Sequence, residues 1–117
     1  MCVVVFSIPV TPSPLELVSP DFLIEGVSFN FTCLSTGGYP QPEITWLYQT
    51  PNEDTPINAT SLSVEHTNNN LYNVNSTLTF TPSMVDDGNW LICQIAVGTN
   101  ISENMTAMVQ LKLISKN

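Results

Sequence analysis

The residues of this chain that could carry chemistry are three cysteines, one histidine, a pair of adjacent carboxylates and a set of asparagines in acceptor sequences. Cys2, Cys33 and Cys93 make one pair with one left over, the simplest reading of an odd count. No CxxC occurs and His66 is the only histidine, so a dithiol redox couple and a metal site both lack support. His66 lies between Glu65 and Thr67, ahead of Asn68 to Asn70, and reads as a solvated loop residue. A serine or cysteine nucleophile needs a base beside it, and a histidine in a polar loop is poorly placed for that work. Asp86 and Asp87 are neighbours in sequence, so on a strand they would point apart. They read as residues that shape a turn ahead of Cys93. No glycine-rich loop leads into a helix, so phosphate binding is unsupported. The expectation is therefore no enzyme, no cofactor and no metal.

The asparagines are more informative. Asn-x-Ser/Thr occurs at Asn30, Asn58, Asn75, Asn100 and Asn104, which are acceptors for N-linked glycans. A glycan is bulky and soluble and needs an outward position. Their placement, more than their number, points to an extracellular protein.

Charge narrows the partners. Ten acidic residues face two lysines, Lys112 and Lys116, with no arginine, and the net charge is -8. Nucleic-acid binding needs a basic footprint to displace counterions, and a polybasic membrane patch is excluded on the same ground. No stretch reaches the 18 or so apolar residues of a membrane span. The apolar run at residues 2–10 lacks a basic flank and meets prolines too soon, so it reads as a clipped leader or the end of a preceding unit. Cys2 falls in it, as a remnant of that unit, a free thiol or an intermolecular link.

The elements that must position these residues alternate with period two. VSFNFTC puts Val27, Phe29, Phe31 and Cys33 on one face; ITWLYQ does so with Ile44, Trp46 and Tyr48. NVNSTLTF aligns Val74, Leu78 and Phe80, LICQIAV aligns Leu91, Cys93, Ile95 and Val97, and MVQLKL aligns Val109, Leu111 and Leu113. Half-exposed strands of this kind belong to antiparallel sheets. Turn-rich segments separate them: PSPLELVSP, TPNEDTP, HTNNN, TPSMVDDGN and GTNISEN. The expected fold is all-β, a two-sheet antiparallel sandwich over residues 14–114, with 1–13 as a tail or linker and 115–117 as a short end.

In such a sandwich Cys33 and Cys93 point inward from facing sheets, and a bridge between them closes a loop of 60 residues. The chain-entropy model values that closure at about 4 kcal/mol. Trp46 would pack against the bridge, and Cys…Trp…Cys in this arrangement is the sign of an immunoglobulin domain. Between Cys33 and Ile44 the chain must change sheets. Gly37 and Gly38 are expected to take backbone angles closed to other residues, Pro40 and Pro42 to fix an extended approach, and Tyr39-Pro40 is a candidate cis bond.

CLSTGGYPQPEITWL resembles the loop between the second and third strands of constant-type (C2-set) immunoglobulin domains, found in T-cell costimulatory ligands and in nectin- and nephrin-type adhesion receptors. NSTLTFTPSMVDDGNWLICQIA resembles the turn and strand that carry the second cysteine in the same group. Variable-type domains place a tyrosine two positions before that cysteine. Here the position is Leu91, and without arginine no Arg–Asp bridge reaches Asp86 or Asp87. The resemblance therefore implies the constant type. It also implies cell-surface or secreted protein partners, with homophilic pairing among them.

Asn30 and Asn75 are expected at outward positions of one sheet, and Asn100 and Asn104 in the loop between the last two strands. The other sheet, the C-F-G sheet of the fold, carries no sequon on its strands. Leu47, Trp90, Ile92 and Met108 are expected to form an apolar strip on its outer face, with Met108 diagonal to Ile92. The expected function is an extracellular module of an adhesion or recognition receptor that binds protein through this face. The alternatives are the membrane-proximal spacer of a costimulatory-type ligand and a secreted module. A membrane span downstream, a variable-type domain upstream or further constant-type repeats would separate these readings.

Overall fold

A computed structural model describes residues 9–97 and 105–114. Two four-stranded antiparallel sheets face each other. In one the order is β1 (Glu16–Val18), β3 (Phe29–Gly38), β7 (Tyr72–Phe80) and β6 (Ser61–His66). In the other it is β5 (Asp54–Ile57), β4 (Glu43–Gln49), β8 (Trp90–Ala96) and β9 (Thr106–Gln110). A short parallel pair joins β2 (Leu23–Ile24) to β10 (Leu113–Ile114). The first sheet has the four strands of a constant-type domain; the second has one more than the constant type needs. Among the described residues no helix is long and apolar enough to cross a membrane.

Alternation predicts which side chains form the core. Phe31, Cys33, Val74, Leu78, Leu91, Cys93 and Ile95 are all buried, as period two requires. Val27 does not join them; it precedes β3 and is exposed. The run expected to continue through Leu113 breaks after Gln110. Leu111 still reaches the core, and Leu113 pairs with Leu23 instead of continuing β9.

Four elements were not legible as strands: β1, β2, β5 and β6. All are short or lie at sheet edges, where one partner suffices and alternation is weak. β5 even contains Pro56, which an edge strand tolerates because one side of its backbone needs no ladder bond. At the other end, residues 10–13 are held by the sandwich. Val10 exchanges backbone hydrogen bonds with Tyr39, and Ser13 N donates to Thr36 O.

The change of sheets is tighter than expected. β3 does not end at Cys33 but pairs with β7 as far as Gly38, so the crossing takes only Tyr39 to Pro42. The two glycines serve different ends. Gly37 has φ +83, the left-handed region, at a register irregularity in the β3–β7 ladder, and its N–H donates to Asn73 Oδ1. Gly38 has no such angle. A Cβ there would lie 2.8 Å from Pro42 Cγ and 3.3 Å from Pro12, so packing against two buried prolines demands the glycine. Tyr39-Pro40 is cis.

Candidate functional site: the centre of the sandwich and its two outer faces

The centre is a square of four side chains. Cys33 lies beside Ser76 in one sheet, and Cys93 lies beside Trp46 in the other. The Cys33–Cys93 disulfide crosses the gap, with Cα atoms 6.5 Å apart. Next to it Trp46 Nε1–H donates to Ser76 Oγ at 2.9 Å. All four side chains are buried. One covalent bond and one hydrogen bond thus tie the layers at the same level. The tryptophan and the bridge were expected; the serine was not, because nothing in NVNSTLTF marks Ser76 as the acceptor an indole needs.

The carboxylates do shape the turn before β8, and they do more. A 3-10 turn spans Met84–Asp86, and Ser83 N donates to Asp86 Oδ2 at 2.8 Å. Asp86 Oδ1 also accepts from the Tyr48 hydroxyl, which in turn accepts from Asn89 Nδ2 at 2.7 Å. Asp87 Oδ1 accepts from Leu113 N and so fixes the last strand. With neither arginine nor a tyrosine before Cys93, β4 supplies a tyrosine to the same turn. Desolvation, and then the Asp86 hydrogen bond, push the Tyr48 phenol above its ordinary pKa. A raised pKa means that the folded state holds this proton more tightly than the unfolded state. Its stabilisation is complete below the unfolded value near 10.0 and is lost as pH rises through the folded value. Tyr48→Phe should remove that alkaline slope from urea midpoints and cost about 1 kcal/mol at neutral pH. An unchanged slope would show that another group sets it.

His66 is not in a loop. It ends β6, stacks on Tyr72 with centroids 4.5 Å apart, and shares a hydrogen bond with Asn70 Oδ1 at 2.7 Å.

The outer face of the β1-β3-β7-β6 sheet carries Asn30 and Asn75, both exposed and both on the face opposite Phe31 and Ser76. Asn58 is exposed too, one residue past the end of β5. Asn100, Asn104 and Cys2 lie outside the described residues.

The other outer face carries a continuous row. Pro56, Leu47, Ile92 and Met108 are register partners across β5, β4, β8 and β9. Met108 is thus directly opposite Ile92, not diagonal to it. The row is less open than expected. Ile92 is only 5% exposed, while Met108 is 48% exposed and Leu47 and Trp90 are half-buried. Ile92 stands on an inner strand with large side chains on both sides and Trp90 two residues away, so its neighbours cover it. Trp90 separates two shallow hollows. One is lined by residues 49–54 with Gly88 and Asn89, the other by residues 19–21 with Met108 and Gln110.

This architecture agrees with known proteins. No curated relative matches the sequence. Among solved structures, the chain superposes on Rst D1-D2 with a TM-score of 0.77 at 18% identity, over 91% of this chain and 51% of that one. It superposes on the mouse nectin-like molecule 4 ectodomain with a TM-score of 0.75 at 19% identity, over 93% of this chain and 36% of that one. In a complex of ICOS with ICOS-L and an anti-ICOS-L VNAR domain the values are 0.58 and 19%, over 86% and 43%. The chain therefore spans about half or less of these structures, and at such identities they share its fold. The model of the CD80-like C2-set immunoglobulin domain matches residues 10–102, a span holding both bridged cysteines and Trp46. This chain belongs to that family, the CD80-like C2-set immunoglobulin domains.

Proposed function

We propose that the protein is an extracellular immunoglobulin-like module of a cell-surface adhesion or recognition receptor, binding protein through the outer face of the β4-β8-β9 sheet. The observation that carries this reading is the asymmetry between the two faces. One sheet presents exposed sequons at Asn30 and Asn75, and the other presents the Pro56–Leu47–Ile92–Met108 row with no sequon on its described strands. Apolar side chains free of sugar and rimmed by polar groups mark contact surfaces. Gln49, Gln94 and Gln110 supply that rim. The likeness in fold to a nectin-like ectodomain supports the adhesion reading.

The test lies at the two residues that flank Ile92 in the row. Leu47→Glu and Met108→Glu leave buried Ile92 in place, so the sandwich should fold with a near-normal urea midpoint. Binding of the glycosylated protein to a panel of cell-surface ectodomains, itself included, should fall about tenfold or more for each, as for residues near an interface centre. Undiminished binding by both folded variants discards the face.

A second reading has support in the CD80-like family model and in the ICOS-L complex. In it the domain is the membrane-proximal spacer of a costimulatory-type ligand, and the same two variants bind normally. In either reading the sequons support a location outside the cell, as a membrane-anchored ectodomain or a secreted module.

A further inference from the structure

β6 is the one four-to-ten-residue edge of the described sheets that lacks the usual protection. Unpaired edges invite pairing with another chain, and proteins blunt them with brevity, lysine, proline or cover. β1 is three residues long, β5 contains Pro56, and β9 runs beside residues 19–21 in the hollow below Trp90. β6 has six residues, all exposed, with neither lysine nor proline, and it ends its sheet with no described strand on its far side.

Its inner face is also open. Leu62 pairs with buried Ser76 and Val64 with buried Val74, so both point toward the core side, yet they are 60% and 41% exposed. The register explains why. β5 covers the half of the sandwich from Trp46 to Gln49, the end where Tyr48 meets Phe80. β6 starts at the level of Thr77, next to the Ser76 that bonds Trp46, and runs the opposite way to Tyr72. The two strands meet only at the level where Ile57 pairs with Trp46 and Leu62 with Ser76, so β5 does not run on over Val64.

Two sequons flank this edge. Asn58 lies in the three-residue link between β5 and β6, whose far end is pinned by Thr60 N to Thr77 O and by Thr79 N to Thr60 Oγ1. Asn75 is the register partner of Ser63 at the middle of β6, on the outer face. A two-fold antiparallel pairing of β6 with β6 of a second copy, centred on Ser63, sets Leu62 against Val64 and Glu65 against Ser61. It buries apolar pairs without opposing the only acidic residue of the strand, and it closes as a symmetric dimer.

We propose that β6 is a self-pairing edge and that glycans on Asn58 and Asn75 keep the chain monomeric by covering it. The proposal rests on the extracellular, glycosylated part of the function above and not on the Leu47–Met108 face.

The experiment is sedimentation velocity on the whole chain secreted from a glycosylating cell, with site occupancy read by mass spectrometry. The wild type should be monomeric with sugar on Asn58 or Asn75. Asn58→Gln/Asn75→Gln should raise the average mass at least about twofold, since uncovered edges pair. Adding Leu62→Lys should restore the monomer. Glutamine is preferred to enzymatic removal of the glycan, which leaves a charged aspartate at the edge. Asn30→Gln, on the same sheet face but away from β6, should stay monomeric. If the double variant is retained in the cell, Leu62→Lys should restore its secretion. A monomeric double variant, no rescue by Leu62→Lys, equal association of Asn30→Gln, or both sites bare in a monomeric wild type would each overturn the proposal. Wild-type binding to the ectodomain panel is unaffected by any of these results, so the two readings fail separately.

Discussion

Trp46→Ala should cost about 3–5 kcal/mol, the usual range for a large aromatic removed from a core. In a domain whose whole stability is of order 5–15 kcal/mol, that loss leaves a substantial unfolded population. The ring fills the space beside the disulfide, and its Nε1–H reaches across the sheets to Ser76 Oγ. The polar part can be separated from the packing. Ser76→Ala leaves a buried indole N–H without its acceptor and should cost about 1–3 kcal/mol. Trp46→Phe strands the serine hydroxyl in the same way, in addition to its packing loss. The double variant removes both polar groups, so its cost should be less than the sum of the two singles, as expected for residues in contact. Urea unfolding of the four oxidised proteins measures the cycle. Strict additivity would mean that the inter-sheet hydrogen bond contributes nothing.

Removing the bridge is the second large effect. Cys33→Ala with Cys93→Ala should cost about 2–5 kcal/mol and lower the thermal midpoint accordingly. The loop it closes spans 60 residues and contains most of the strands of both sheets, so the unfolded chain gains much freedom without it. The bridge and the Trp46–Ser76 bond occupy one level of the sandwich, and their effects should be coupled. In the bridgeless protein, Trp46→Ala should leave little folded material by circular dichroism. A bridgeless variant with the wild-type urea midpoint would show that packing alone sets the stability.

Much of this molecule is readable from its residues. Alternation identifies the core face wherever a strand has neighbours on both sides, because an inner strand must bury one full face. Phe31, Trp46, Leu78, Leu91 and Cys93 are therefore legible. The same signal fails at the edges. In Ser61–His66 only Leu62 and Val64 alternate with polar neighbours, too short a signal to separate an edge strand from a polar loop, and His66 is placed on a strand only by pairing with Tyr72. Ile92 fails for a different reason. Alternation gives it the outer face correctly, but its accessibility depends on the size of the side chains that the register puts next to it.

The sequence by itself determined the two layers, the cysteines that join them, the sequons and the absence of a basic surface, because each follows from residue type and near neighbours along the chain. Only the tertiary structure decided which polar groups meet across the gap, where β3 gives way to β4, and how far β5 shields the edge beside it. Those outcomes depend on register and on contacts between residues 30 to 60 positions apart, such as Trp46 with Ser76 and Tyr48 with Asp86. Such contacts leave no periodic trace in either segment alone. The hydroxyl that receives the indole proton looks, in its own strand, like any other serine.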